Sequence, residues 1–129
     1  MSIHVFITRK ENPIEDAGPA ITEQEWRSVA TDSPDFRLPT TEDLADSDYP
    51  GGPTERDLIW TGHNEEPVVW FVWYDGQVEV ENADESVVAR MKRLAELLGA
   101  RVVSETGEQF DDLGQSAGFE PWSEFYDEP

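Results

Sequence analysis

The residues best suited to move a proton in this chain are His63, Glu65 and Glu66, which stand together between two apolar segments. A histidine beside carboxylates can titrate near neutral pH and act as a general acid or base. The same position between two apolar runs is typical of a polar loop, and this is the simpler interpretation. Catalysis at this cluster is therefore a secondary expectation.

Three closely spaced carboxylates, Asp43, Asp46 and Asp48, could give oxygen ligands to a calcium ion. The segment lacks the glycine and the trailing bidentate glutamate of an EF-hand loop, which favours solvated loop carboxylates instead. The chain has no cysteine and only two histidines, so a zinc site is not expected. Neither a glycine-rich phosphate loop nor a nucleophile elbow occurs. We expect no metal ion and no cofactor.

Three tryptophans, Trp60, Trp70 and Trp73, could form the aromatic wall of a small-molecule pocket. With His63 and Glu66 beside them, they define an alternative function, that of a small-ligand-binding protein or an enzyme. Aromatic residues on neighbouring strands are more often part of a hydrophobic core, and the core interpretation is favoured here.

The strongest signal in the chain is its charge. It has 29 acidic residues against 9 basic ones in 129 residues, a formal net charge of -20. Such a surface repels phosphates and anionic membranes and attracts cationic partners, so nucleic acid and membrane surfaces are not expected partners. A need for solubility alone, or adaptation to high salt, would also produce an acidic surface. We expect a basic protein partner, and the sequence leaves the oligomeric state open.

Hydrophobic periodicity predicts the elements that would carry these residues. Apolar alternation indicates strands, and apolar residues at steps of three and four indicate a helix that ends at Gly99. Thr22 and Glu25 have the spacing of a capping box, and Asp75-Gly76 is the dipeptide of a tight hairpin turn. The predicted strands cover residues 3–9, 57–61, 68–74, 77–81 and 101–103, and residues 36–38 are a further candidate for a short strand. The predicted helices begin near 22 and run from 84 to 98.

This order predicts an α+β fold, with a mostly antiparallel sheet of 4–5 strands and two helices packed on one face. One domain is expected over residues 1–113, with a polar, acidic loop at 40–56. Residues 114–118 are small and polar and are interpreted as a linker, so 114–129 is expected to form an acidic, aromatic C-terminal tail. No signal peptide or membrane-spanning stretch is apparent, and the cytoplasm is the expected location.

The predicted tail carries four large rings, Phe119, Trp122, Phe125 and Tyr126, interleaved with acidic residues. A disordered terminus would rarely contain so many aromatic side chains. Two interpretations remain open. Either the tail folds back over the sheet, or it is a docking segment in which aromatic anchors are surrounded by charge.

Part of the chain resembles a group of small bacterial proteins of unassigned function. The resemblance covers residues 57–110 and is carried by the segment Trp60…His63…Val68-Val69-Trp70-Phe71…Gly76-x-Val78-x-Val80-x-Asn82-x-Asp84-Glu85…Arg90-Met91…Leu94-Ala95…Leu98-Gly99-Ala100-x-Val102-Val103…Gly107-Glu108…Phe110. Some small acidic bacterial proteins of this kind are immunity proteins that neutralise a partner toxin. The resemblance assigns no role to any residue.

Together these observations predict a non-catalytic acidic protein-binding module that docks a basic partner, such as an immunity protein or an enzyme inhibitor. Clustered carboxylates can imitate phosphate groups, and long-range attraction speeds capture of a cationic surface. The expected partner-binding residues are the clustered acids and the aromatic residues of the tail: Asp43, Asp46, Asp48, Glu108, Asp111, Asp112, Trp122, Phe125 and Tyr126.

Overall fold

Within the part of the chain that the structure describes, an antiparallel sheet of eight strands carries two complete helices, an α+β arrangement. The structure is a computed structural model that describes residues 4–15, 18–42, 58–63, 65 and 69–123. The elements in chain order are β1 (His4–Thr8), α1 (Glu23–Thr31), β2 (Phe36–Arg37), β3 (Leu58–Trp60), β4 (Val69–Tyr74), β5 (Gln77–Glu81), α2 (Glu85–Leu98), β6 (Arg101–Ser104), β7 (Glu108–Phe110) and β8 (Ser116–Phe119).

The strands lie in the order β2-β3-β4-β5-β1-β6-β7-β8, and each neighbouring pair is antiparallel. The β4–β5 hairpin closes through Asp75 and Gly76, whose φ angles of 53° and 81° are both positive. A type I′ turn requires this conformation at both central residues, and its twist matches that of the paired strands. The hairpin predicted from the Asp-Gly dipeptide is confirmed.

Both helices begin at a side chain that caps the backbone. The Thr22 hydroxyl accepts a hydrogen bond from the Glu25 amide, and the Glu25 carboxylate accepts one from the Thr22 amide, which completes the predicted capping box. Asp84 caps α2 by accepting from the Val87 amide. Helix α2 is capped at its C-terminus by Gly99, which adopts the left-handed conformation with φ of 62°.

The main hydrophobic core lies between one face of the sheet and both helices. Alternating strand residues such as Val5, Ile7, Val78 and Val80 point towards it, together with the aromatic cluster of the β2–β4 end. In that cluster Trp26 of α1 stacks on Phe71, and the ring of Phe36 meets both edge-on. The helices contribute Trp26, Ala30, Val87, Val88, Met91, Leu94, Ala95 and Leu98.

The predicted sheet of 4–5 strands is wrong in its size, since the sheet has eight. The strands that the sequence did not reveal are β7 and β8, at one edge of the sheet. Their side chains, in Glu108–Phe110 and Ser116–Phe119, are half-buried or exposed. These strands therefore need no alternation of apolar and polar residues, and their sequences show none. They are recognisable only through their backbone pairing, and the search for apolar alternation cannot detect such pairing. Strand β8 comes from the segment expected to form the tail.

None of the described helices is long and apolar enough to cross a membrane. The acidic loop predicted at 40–56 lies almost entirely outside the described residues.

Candidate functional site

The predicted partner-binding residues fall into two groups in the structure. Five of them lie outside the described residues: Asp43, Asp46, Asp48, Phe125 and Tyr126. The remaining four are placed on or next to the β7–β8 hairpin: Glu108, Asp111, Asp112 and Trp122.

These four residues have different environments. Asp111 closes the turn, because its Oδ1 accepts hydrogen bonds from the amides of Leu113 at 2.9 Å and Gln115 at 3.0 Å. Asp112 is exposed, and Glu108 is half-buried. Trp122 is half-buried too, and its indole N–H is enclosed without a hydrogen-bond partner. The carboxylate of Asp111 therefore shapes the turn, whereas Asp112 is exposed to solvent and Glu108 is partly exposed.

The three tryptophans of the alternative function do not line one wall. Strand alternation places Trp73 on the helix-covered face of β4 and Trp70 on the opposite face. The Trp60 indole N–H donates to Asp35 Oδ2 at 2.6 Å, and that of Trp73 donates to the carbonyl of Ile21 at 2.9 Å. Trp60 and Trp73 are therefore held as core residues with their polar atoms satisfied.

His63 lies against the start of α2. Its Nε2 is 2.5 Å from Asp84 Oδ2, and its Nδ1 accepts from the Glu65 amide at 3.0 Å, which places the proton on Nε2. Burial raises the pKa of Asp84, but hydrogen bonds from His63 and from the Val87 amide outweigh this and hold that pKa below its ordinary value. The contacts join the loop after β3 to the helix cap. Glu66, the other polar residue of the alternative function, lies outside the described residues.

Asp35 is the centre of a second polar cluster that sequence reasoning missed. It receives two hydrogen bonds from Arg90, at 2.7 and 3.0 Å, in addition to the Trp60 indole. The Arg90 guanidinium also lies over the Phe36 ring, 5.4 Å from its centroid. Burial raises the pKa of Asp35, and the hydrogen bonds from Arg90 and Trp60 overcome this and lower it. The cluster joins α2 to the β2–β3 edge of the sheet.

A third polar network fixes the loop that follows β1, residues 9–15. The side chain of Lys10 is buried, and its Nζ donates to Asp75 Oδ2 at 3.0 Å and to the carbonyl of Glu15 at 3.3 Å. The buried Gln77 accepts from the Thr8 hydroxyl and donates to the carbonyl of Pro13, both at 2.8 Å. No sequence signal marks this network, since Lys and Gln are mostly surface residues.

Arg101 ties the same loop to the end of the described chain. Its guanidinium donates to the carbonyls of Lys10 and Glu11 and to Glu120 Oε1, and the other Glu120 oxygen accepts from Gln109. Its two carbonyl contacts join residues about 90 positions apart in sequence. Together these hydrogen bonds hold the loop and the β8 edge to one side of the sheet.

Comparison of this chain with protein-family models, with curated proteins and with solved structures gave no match.

Proposed function

We propose that this protein is a non-catalytic, acidic protein-binding module that docks a basic partner, as an immunity protein or an enzyme inhibitor does. The observation that carries the proposal is the fate of the few basic side chains. Arg9, Lys10, Arg90 and Arg101 each form an ion pair with an acid of the same chain, Glu25, Asp75, Asp35 and Glu120 respectively. At least four of the nine basic residues are therefore used within the protein.

The acidic residues that remain unpaired dominate the electrostatic potential around the protein. A charge of -20 in a small domain raises the local concentration of a cationic protein and speeds its encounter with the surface. The attraction acts over about 10 Å at 0.1 M salt and is screened as the salt concentration rises. Recognition of a basic partner should therefore depend strongly on ionic strength.

The test uses the whole protein as bait in a lysate of its source cells at about 50 mM and about 500 mM NaCl. A variant with four exposed or half-buried acids neutralised, Glu85→Gln, Glu96→Gln, Glu108→Gln and Asp112→Asn, is compared with it. The matched control exchanges Asp and Glu at the same four positions, which keeps the charge.

We expect the wild type and the charge-keeping control to capture the same basic protein at low salt and to release it at high salt. The neutralised variant should capture less, because it attracts the partner less strongly. If the low-salt fraction contains no basic protein, or if high salt does not weaken capture, the proposed function is wrong.

A further inference from the structure

Two large apolar side chains are exposed close to the β4–β5 turn. Tyr74, the last residue of β4, is 68% exposed, and Ile14, in the loop after β1, is 62% exposed. Tyr74 is the strand partner of Gln77, whose amide donates to the carbonyl of Pro13. The carbonyl of Glu15 and the carboxylate of Asp75 meet at the same Lys10 ammonium. The two neighbours of Ile14 in the chain are thus hydrogen-bonded to Gln77, the strand partner of Tyr74, and to Lys10, which pairs with the residue after Tyr74.

The loop that presents Ile14 is held by an unusually buried set of polar side chains. Lys10 is 2% exposed and Gln77 is 7% exposed. Burying such groups is unfavourable unless every hydrogen bond is formed, and connecting β1 to α1 does not require it. The contacts instead fix the conformation of residues 9–15 before any partner arrives. A surface that is already ordered loses less conformational entropy when it binds.

Each of these apolar side chains has an acidic neighbour in the sequence, Glu15 after Ile14 and Asp75 after Tyr74. Glu11 and Glu15 are exposed, and within the described residues neither carboxylate forms an ion pair. The charge of Asp75 is offset by Lys10, which also donates to the carbonyl of Glu15. An exposed tyrosine on a rigid element, bordered by charge, has the composition of an interface hot spot. We call Glu11, Ile14, Glu15, Tyr74 and Asp75 the hairpin-end surface.

We propose that the hairpin-end surface is the contact site for the basic partner, and that it takes an apolar side chain flanked by Arg or Lys. Tyr74 and Ile14 bury the apolar group, while Glu11 and Glu15 receive the cations on either side. This inference rests on the proposed function and adds to it a location and an apolar component. The acids elsewhere on the protein then accelerate the encounter, and the hairpin-end surface sets how long the complex lasts.

The test uses defined probes, because it must separate the apolar contact from general charge attraction. Short synthetic peptides with alternating arginine and leucine, arginine and serine, or glutamine and leucine are titrated into the ¹⁵N-labelled full chain at low salt. We expect the arginine–leucine peptide to bind most tightly and to shift the amide resonances of residues 11, 12, 14, 15 and 72–77.

Variants locate the contact. The double variant Ile14→Ser, Tyr74→Ser should weaken binding of the arginine–leucine peptide by about tenfold, a loss of roughly 1.4 kcal/mol. Leu97 and Leu113 are 68% and 70% exposed, and the matched double variant Leu97→Ser, Leu113→Ser should change binding by less than about twofold. The amide spectrum of each variant verifies that the fold is retained.

Two failures are distinguishable. If the arginine–serine peptide binds as tightly as the arginine–leucine peptide, or if the Ile14 and Tyr74 double variant binds like the wild type, the hairpin-end surface is not the contact site and the proposed function is unaffected. If neither arginine-containing peptide binds at low salt, the attraction to basic partners itself is refuted, and both proposals fall together.

Discussion

At the scale of single residues, Glu25 joins two structural devices. Its carboxylate completes the capping box of α1 and also pairs with Arg9, whose Nη2 lies 2.7 Å from Glu25 Oε2. Arg9 in turn donates to the carbonyl of Leu98, the last residue of α2. The hydrogen bond from Arg9, followed by that from the Thr22 amide, lowers the pKa of Glu25 from its ordinary 4.5 to about 2.

This lowered pKa predicts how stability changes with pH. Because the folded-state pKa lies below the unfolded value, the charged carboxylate stabilises the protein fully above about pH 4.5, and that contribution is lost as pH falls towards 2. In Glu25→Gln this contribution is absent. The difference in unfolding free energy between the wild type and this variant should therefore be largest near neutral pH and should become small near pH 2.

Urea unfolding across this pH range measures the difference. Glu23→Gln is the matched control, since Glu23 lies in the same first turn of α1 and loses the same charge. A Glu25→Gln difference that stays constant with pH, or that the control reproduces, would contradict the role assigned to the Arg9 pair.

At the scale of elements, the β7–β8 hairpin is docked on the start of α2. Gly114, in its turn, has φ of 83°, and a Cβ built there would lie 2.0 Å from the carbonyl oxygen of Glu85. Gly99 at the end of α2 also has a positive φ, of 62°, but a Cβ there would meet nothing within 4 Å. An added side chain would meet backbone strain at both glycines, and a steric clash only at Gly114.

The two glycines should respond differently to replacement by alanine. Gly99→Ala should destabilise the protein by about 1 kcal/mol, the cost of a left-handed alanine. Gly114→Ala adds a backbone clash to the same strain and should cost about 3 kcal/mol or more. Chemical denaturation measures both, and equal losses would show that the hairpin does not pack against α2 as described.

The elements that the sequence predicted are those whose signals are local. Asp75-Gly76 specifies its turn by backbone conformation alone, and Thr22 with Glu25 specifies a helix start through contacts three residues apart. Strand β8 has no such signal, because its exposed residues Ser116, Ala117 and Gly118 have small or absent side chains. It is held next to β7 by backbone pairing, and nearby Glu120 binds Gln109 and Arg101.

The parts of the candidate site that the sequence did not predict depend on contacts between distant residues. Lys10 and Glu120 are charged and would ordinarily be placed at the surface, yet both are buried. Their burial depends on partners distant in the chain, Asp75 for Lys10 and Arg101 for Glu120. The sequence also did not predict that Tyr74 is exposed. This residue lies in a strand that is apolar on both faces, a pattern that predicts a central strand covered on both sides.

At the scale of the whole molecule, the net charge of -20 should make the folded protein sensitive to salt. Like charges are closer together in the folded state, so screening them stabilises it relative to the unfolded chain. We predict that Tm rises as NaCl increases from about 10 mM to about 500 mM, and that NaCl and KCl act alike because the effect is general screening. A Tm that falls with salt would mean that the internal ion pairs dominate the electrostatics. Differential scanning calorimetry distinguishes the two results.

If the anionic exterior captures a basic partner as proposed, the rate at which the two proteins associate should depend on salt. The most direct measurement is stopped-flow association between the full chain and the basic protein isolated from the lysate, over a series of NaCl concentrations. Electrostatic steering predicts an association rate constant that falls at least about tenfold between about 50 and about 500 mM NaCl, with a much smaller change in the dissociation rate constant. An association rate constant that does not depend on salt would contradict the account.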